Sequence, residues 1–222
     1  MNGTVVALPG FLGKGSDWAE VRAASQAGLR WICLDLFALG AEPVRPPAVE
    51  GPCWLAGYSF GARLALCWLQ EAPEKWEGAL LLSVDPGNFQ TEEERVARRK
   101  SDADWSAAFR AERWEVVTDR WNGQAVFQNN TAPLREERDF DRGKLASALV
   151  EDSVAGQFTD PLRLPTRLVW MAGARDGKFV RLQNQMRDAG FPGTFPVVGE
   201  AGHRLLLEAP QAVAGALDDL VA

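Results

Sequence analysis

Histidine is almost missing from this chain of 222 residues: His203 stands alone. A metal site built from several imidazoles is therefore excluded, and any imidazole chemistry must run through that one side chain. Cysteine is scarce as well. Cys33, Cys53 and Cys67 sit in apolar surroundings without a C-x-x-C pair, which reads as small buried hydrophobes and not as a disulfide framework or a zinc site. No apolar run approaches the length of a membrane span, and Met1-Asn2-Gly3-Thr4 lacks the basic and apolar regions of a secretion signal, so a reduced, cytoplasmic setting is expected. Positive charge is in deficit. Lys and Arg number 24 against 30 Asp and Glu, and the formal charge of −6 argues against a general nucleic-acid or anionic-membrane binder. What remains, 46% hydrophobic and 24% charged, is ordinary globular composition, and the length suits one α/β domain over 1–222 with a substantial core.

The apolar runs give the architecture. Thr4 to Leu8, closed by Pro9-Gly10, reads as a buried strand, as do Trp31 to Leu34, Cys53 to Ala56 and Gly78 to Ser83. Helices are expected near Trp18 to Ala27 and over Gly61 to Glu71, the latter stopping before Pro73, with a proline-rich loop at Pro43 to Pro52. From about 85 to 160 charged and aromatic residues mix at helical spacing with no long buried strand, which predicts a helical cap inserted over the core. The strand pattern returns at Thr166 to Trp170 and Gly193 to Val198, with helices at Phe179 to Asp188 and Ala209 to Val221. This alternation predicts a mainly parallel sheet covered by helices on both faces.

Gly57-Tyr58-Ser59-Phe60-Gly61 is a G-x-S-x-G set between an apolar strand and an Ala/Leu helix, the context in which that motif forms a nucleophile elbow. A serine hydroxyl needs a histidine to share its proton, and the histidine needs a carboxylate to fix its tautomer. His203 is the one candidate imidazole. For the acid the choice is Asp176, which follows the strand ending at Trp170; Asp85, after the strand ending at Ser83, is its rival, and Glu200 is a weaker candidate, too close to His203 in sequence to reach around the ring easily. The order serine, acid, histidine is that of the fold class. Two backbone amides would complete an oxyanion hole: Phe60, after the serine, and Phe11, in the glycine-rich turn after the first strand.

Several segments together resemble a known family. Leu8-Pro9-Gly10-Phe11-Leu12-Gly13 with Ser16-Asp17-Trp18, the run Gly57 to Leu66, Gly173-Ala174-Arg175-Asp176-Gly177-Lys178-Phe179, and Gly202-His203 resemble the α/β-hydrolase superfamily. Within it they are similar to the 2-succinyl-6-hydroxy-2,4-cyclohexadiene-1-carboxylate synthases of menaquinone biosynthesis. The more discriminating residues are Tyr58, Arg63 and the Asp-x-Lys-Phe run at 176–179. The resemblance extends to the insertion. It implies that Arg98 binds a substrate carboxylate, that Trp121 is a pocket wall, and that Arg138 is another carboxylate-binding arginine. Planar guanidinium groups suit a polycarboxylate. Yet residues 85–160 hold 11 basic and 16 acidic side chains, so the insertion is no basic surface. Pro9 departs from the family, whose members carry a histidine there before the Gly-Phe.

The resemblance implies a lyase acting on a small anionic substrate, with no cofactor and no metal. Asp176 would orient His203, His203 would draw the proton from Ser59, and Ser59 would act as base on a carbon acid, expelling pyruvate. Tyr58, Arg63 and the cap residues would orient the carboxylates. The alternative use of the same residues is a carboxylesterase or thioesterase working through an acyl-Ser59 intermediate. A third reading, a fold turned binding module, rests on Pro9 alone.

Overall fold

The computed structural model describes residues 3–40, 44–127 and 132–222; Met1, Asn2 and Pro43, which entered the reading of the N-terminus and the proline-rich loop, lie outside them. Among the described residues six strands form one parallel sheet: β1 (Thr4–Leu8), β2 (Arg30–Cys33), β3 (Cys53–Tyr58), β4 (Gly78–Leu82), β5 (Leu168–Gly173) and β6 (Val197–Val198), in the order β2-β1-β3-β4-β5-β6. β1 and β4 are buried at every residue, because helices cover both faces of the sheet and leave no polar side to alternate with.

On one face lies α2 (Phe60–Glu71). Its buried Ala62, Ala65, Leu66 and Leu69 fall on one helical stripe and pack with Val6, Leu8, Leu55 and Leu81. On the other face α1 (Ala19–Ala24) and α8 (Pro210–Val221) place Val21, Val213 and Leu217 against Val5, Ala7, Leu80 and Leu82. The inward and outward residues of β1 thus feed two separate cores, as the twofold period of a strand demands. Beyond β5, α6 (Gly177–Asp188) buries Phe179, Leu182 and Met186, and the short α7 (Leu205–Glu208) precedes α8.

Between β4 and β5 the described residues hold no strand of the sheet but three α-helices, α3 (Glu92–Ala111), α4 (Trp114–Asn122) and α5 (Arg142–Glu151), and short 3-10 turns. Thr91 and Glu94 cap the start of α3 reciprocally, with Thr91 Oγ1 accepting from the Glu94 amide and Glu94 Oε2 from the Thr91 amide. Phe109, Trp114, Val117 and Leu145 from these helices join the core that contains α2. The insertion is therefore packed onto the sheet domain and shares its core.

Strand boundaries differ from the sequence pattern by one or two residues at β2, β3 and β4, and by more at the last two strands. The strand expected at 166–170 runs Leu168–Gly173, and that expected at 193–198 is reduced to Val197–Val198 with a single bridge between Val169 and Thr194. Pro192 and Pro196 have no N–H to give a ladder, which confines regular pairing there to the last two residues. Among the described residues no helix is long and apolar enough to cross a membrane.

Candidate active site

The turn from β3 into α2 is strained, with Ser59 at φ 52° and ψ −109°, outside the ordinary regions for a residue with a side chain. The neighbouring glycine explains how the turn is tolerated. A Cβ on Gly61 would lie 2.4 Å from the carbonyl oxygens of Leu8 and Pro9, so only glycine lets α2 begin against the end of β1. The strained turn holds the Ser59 hydroxyl at the carboxyl ends of the strands.

His203 reaches that hydroxyl from the far side of the sheet. Its Nε2 lies 3.1 Å from Ser59 Oγ and its Nδ1 lies 2.7 Å from Asp176 Oδ2. Histidine and aspartate are 3% and 6% exposed, so the pair is shielded from water. The loop carrying His203 is fixed by its backbone. Glu208 accepts from the amides of Gly202 at 2.6 Å and Arg204 at 2.9 Å, the Arg175 amide donates to Ala201 O, and Ser83 Oγ donates to His203 O at 3.3 Å. Gly173, at the end of β5, has no room for a Cβ beside the carbonyls of Ala201 and Gly202, and this close approach brings Asp176 beside the histidine.

Asp85 is engaged elsewhere. Its Oδ1 accepts from the Gly87 amide at 3.0 Å and its Oδ2 pairs with Lys178 Nζ at 3.2 Å. Glu200 pairs with Arg175 on the surface. Of the three candidate acids, only Asp176 contacts His203.

The amide of Phe60 opens α2 and so has no intrahelical acceptor. Phe11 sits in a turn closed by Gly13 N donating to Gly10 O at 2.9 Å, with Leu12 at φ 58°. Pro9 is buried at the foot of this turn. The Phe11 ring stacks into the insertion, 4.5 Å from the Trp121 ring and 5.3 Å from Phe109 by centroids.

Ser59, Phe11 and Trp121 form a wall shared by two hollows. One, of about 490 Å³ including its open mouth, is lined by Arg63, Arg98, Lys178 and Asp85, together with Phe60 and Phe179. Arg63 donates to the carbonyl of Asp152 and lies over the Phe60 ring at 4.9 Å; burial first, and the like charge of Arg98 second, lower its pKa to about 10, so it stays cationic at neutral pH. Arg98 Nε donates to both oxygens of the buried Asp102, at 2.9 and 2.8 Å, and that carboxylate also accepts from Ser153 Oγ at 2.6 Å. The second hollow is lined by Tyr58, Asn122, Phe127, Arg135 and Arg204. Burial pushes the Tyr58 phenol well above its ordinary pKa, which keeps it a neutral hydrogen-bonding group.

The structure does not bring Arg138 to the site. It lies in an exposed 3-10 turn, Glu137–Asp139, with its side chain 80% exposed and paired with Glu136 at 2.5 Å, and it lines neither hollow. The next residue in the core, Phe140, sets the direction of this turn by bridging to Ala38 and burying its ring, which leaves Arg138 facing solvent. Arg135, three residues earlier, lines the second hollow instead. Neither Arg135 nor Arg204 stood out in the sequence. Adjacency to His203 was the one available signal for Arg204, and Arg135 had none.

A serine on a strained turn after the third of six parallel strands, hydrogen-bonded through histidine to an aspartate, gives this chain the α/β-hydrolase fold. It is 30% identical over 243 residues to the 2-succinyl-6-hydroxy-2,4-cyclohexadiene-1-carboxylate synthase of Klebsiella pneumoniae subsp. pneumoniae, covering 98% of this chain and 93% of that one. The chain belongs to the family of these synthases. Among solved structures, MenH from S. aureus superposes with a TM-score of 0.81 at 19% identity, covering 100% of this chain and 96% of that one. A thermophilic esterase from Thermogutta terrifontis shares the fold at a TM-score of 0.68 and 18% identity, over 99% of this chain and 90% of its own. No protein-family model matches the chain.

Proposed function

We propose that this enzyme eliminates pyruvate from 2-succinyl-5-enolpyruvyl-6-hydroxy-3-cyclohexene-1-carboxylate, the reaction that yields the compound named in its family. The observation that carries the reading is the hydrogen-bonded run Asp176, His203, Ser59, ending on a hydroxyl between two hollows lined by guanidinium groups. Such a substrate bears three carboxylates, and its C2 hydrogen is acidic because it lies beside the succinyl ketone.

In this reading Asp176 holds the His203 tautomer and supports the imidazolium that forms. His203 Nε2 takes the Ser59 proton as Ser59 Oγ removes the proton from C2. The released pair becomes the C2–C3 double bond, the C3–C4 pair moves to C4–C5, and the C5–O bond breaks toward oxygen. The enolpyruvate so expelled takes up one proton to become pyruvate. The Phe11 and Phe60 amides face the ketone oxygen, where negative charge develops, and Arg63, Arg98, Tyr58 and Trp121 orient the substrate. The helical insertion over 85–160 serves as the cap that walls the site from water.

Pyruvate release by the wild type and by Ser59→Ala, corrected for spontaneous elimination, tests this. The expected loss of kcat in the variant is about 10²–10⁴-fold, the usual contribution of a positioned base. A folded wild type that releases no pyruvate above background overturns the reading and leaves ester or thioester hydrolysis through acyl-Ser59.

A further inference from the structure

The cations assigned to substrate so far, Arg63 and Arg98, stand on one side of the wall formed by Ser59, Phe11 and Trp121. The hollow on the other side has about 650 Å³ including its open mouth, room enough for a substituent of the ring. Among the described residues its charged lining is two guanidinium groups, Arg135 and Arg204, against one carboxylate, Asp17. Arg135 Nη2 pairs with Asp17 Oδ2 at 2.6 Å, with little exposure on either side. Arg204 crosses from the residue after His203 to the insertion, where its Nη2 donates to Asn122 Oδ1 at 2.6 Å and its guanidinium lies 4.3 Å from the centre of the Phe127 ring.

Arg204 is 6% exposed; burial lowers its pKa, opposed by the nearby Tyr58 and Glu208, so its charge carries a desolvation cost that these neighbours meet in part. A carboxylate entering the hollow would lower that cost through charge-assisted hydrogen bonds. The chemistry of the substrate matches this layout. Its succinyl and enolpyruvyl arms leave the ring at C2 and C5, opposite corners, so with C2 at Ser59 its anionic groups cannot all lie on one side.

We infer that the hollow lined by Tyr58, Asn122, Arg135 and Arg204 is a second carboxylate subsite, gripping one end of the substrate while Arg63 and Arg98 grip the other. The inference rests on the elimination reading and adds to it the division of the carboxylates between two lobes.

The test is the KM and kcat of pyruvate release for Arg204→Gln, Arg204→Lys and Arg135→Gln, together with inhibition by the reaction product, which has lost the enolpyruvyl carboxylate. Each Gln variant is expected to raise KM about 10- to 100-fold with a much smaller change in kcat. Arg204→Lys should recover part of the loss, since a point charge replaces the planar fork. If the product inhibition constant rises with KM, the subsite holds the ring or succinyl carboxylate; if it stays put while KM rises, the subsite holds the enolpyruvyl carboxylate. KM within twofold of wild type in both Gln variants overturns the inference. So does a fall in kcat and melting temperature at constant KM, which would make Arg204 a strut between the His203 loop and the insertion. Should Arg204→Gln not fold, Arg135→Gln carries the same test. A wild type that releases no pyruvate brings down the elimination reading and this inference together, whereas normal wild-type turnover with unmoved variants brings down this inference alone.

Discussion

The sheet side of the site and the insertion side are built by different means. On the sheet side the geometry is held by backbone: Ser59 and Ser83 have φ of 52° and 47°, Gly61 and Gly173 let main chains meet where no Cβ would fit, and His203 and Asp176 are nearly inaccessible. On the insertion side it is held by side chains. Arg98 leans on Asp102 while remaining 37% exposed, Trp121 is wedged among Phe11, Trp105 and Phe109, and Arg204 spans from the His203 loop to Asn122. Proton transfer needs atoms fixed to a few tenths of an ångström, which close-packed backbone provides. In the proposed reading, recognition of carboxylates needs charge at the right distance, which the long side chains of Arg63, Arg98, Arg135 and Arg204 would supply.

The sharpest way to break this comparison is to swap carboxylates. Asp176→Asn, which leaves the shape but spoils the histidine tautomer, is expected to lower kcat for pyruvate release by up to about 10⁴-fold. Asp85→Asn, whose carboxylate meets Gly87 and Lys178, should cost less than about tenfold, as the loss of one charged contact in the pocket wall. Equal effects would mean that the acid is not fixed by the sheet.

Next in size is the backbone contact itself. Gly61→Ala drives a Cβ into the carbonyls of Leu8 and Pro9 and should destabilise by about 1–3 kcal/mol, seen as a melting temperature lower by about 2–4 °C per kcal/mol. Gly215→Ala is the control of opposite sign. That glycine is exposed within α8 with open space around it, and alanine there should add up to about 1 kcal/mol. A melting temperature unchanged in Gly61→Ala would show that the elbow has slack.

The smallest effects belong to the insertion. Arg98→Gln should raise KM about tenfold, the worth of one charge-assisted hydrogen bond, with kcat little altered. Arg138→Gln should leave KM within twofold and stability within about 0.5 kcal/mol, since the side chain is 80% exposed and its ion pair with Glu136 lies in solvent. A rise in KM for Arg138→Gln equal to that for Arg98→Gln would show that the turn at 137–139 folds inward when substrate binds.

Much of the fold is legible in the sequence. The alternation of apolar runs with amphipathic stretches marks the strands and helices, and G-x-S-x-G between a strand and a helix marks the elbow, because both signals are local and depend on neighbours within a few residues. Local signals blur at the ends of elements, which is why β5 begins two residues later than its pattern and β6 shrinks to Val197–Val198 between prolines and a tight turn.

The sequence by itself determined the parallel sheet, the position of Ser59 on its elbow and the one imidazole available to it, for these follow from periodicity, a contiguous motif and the presence of a single histidine. Only the tertiary structure decided which carboxylate meets His203 and which arginines line the hollows. Asp176 and Asp85 both follow strands that end at the same edge, and what separates them is the approach of Gly173 to the His203 loop and the claim of Lys178 on Asp85. Arg135 and Arg138 are three residues apart in one irregular stretch, where no period sets the direction of a side chain; the burial of Phe140 turns one outward, while Asp17 holds the other at the second hollow.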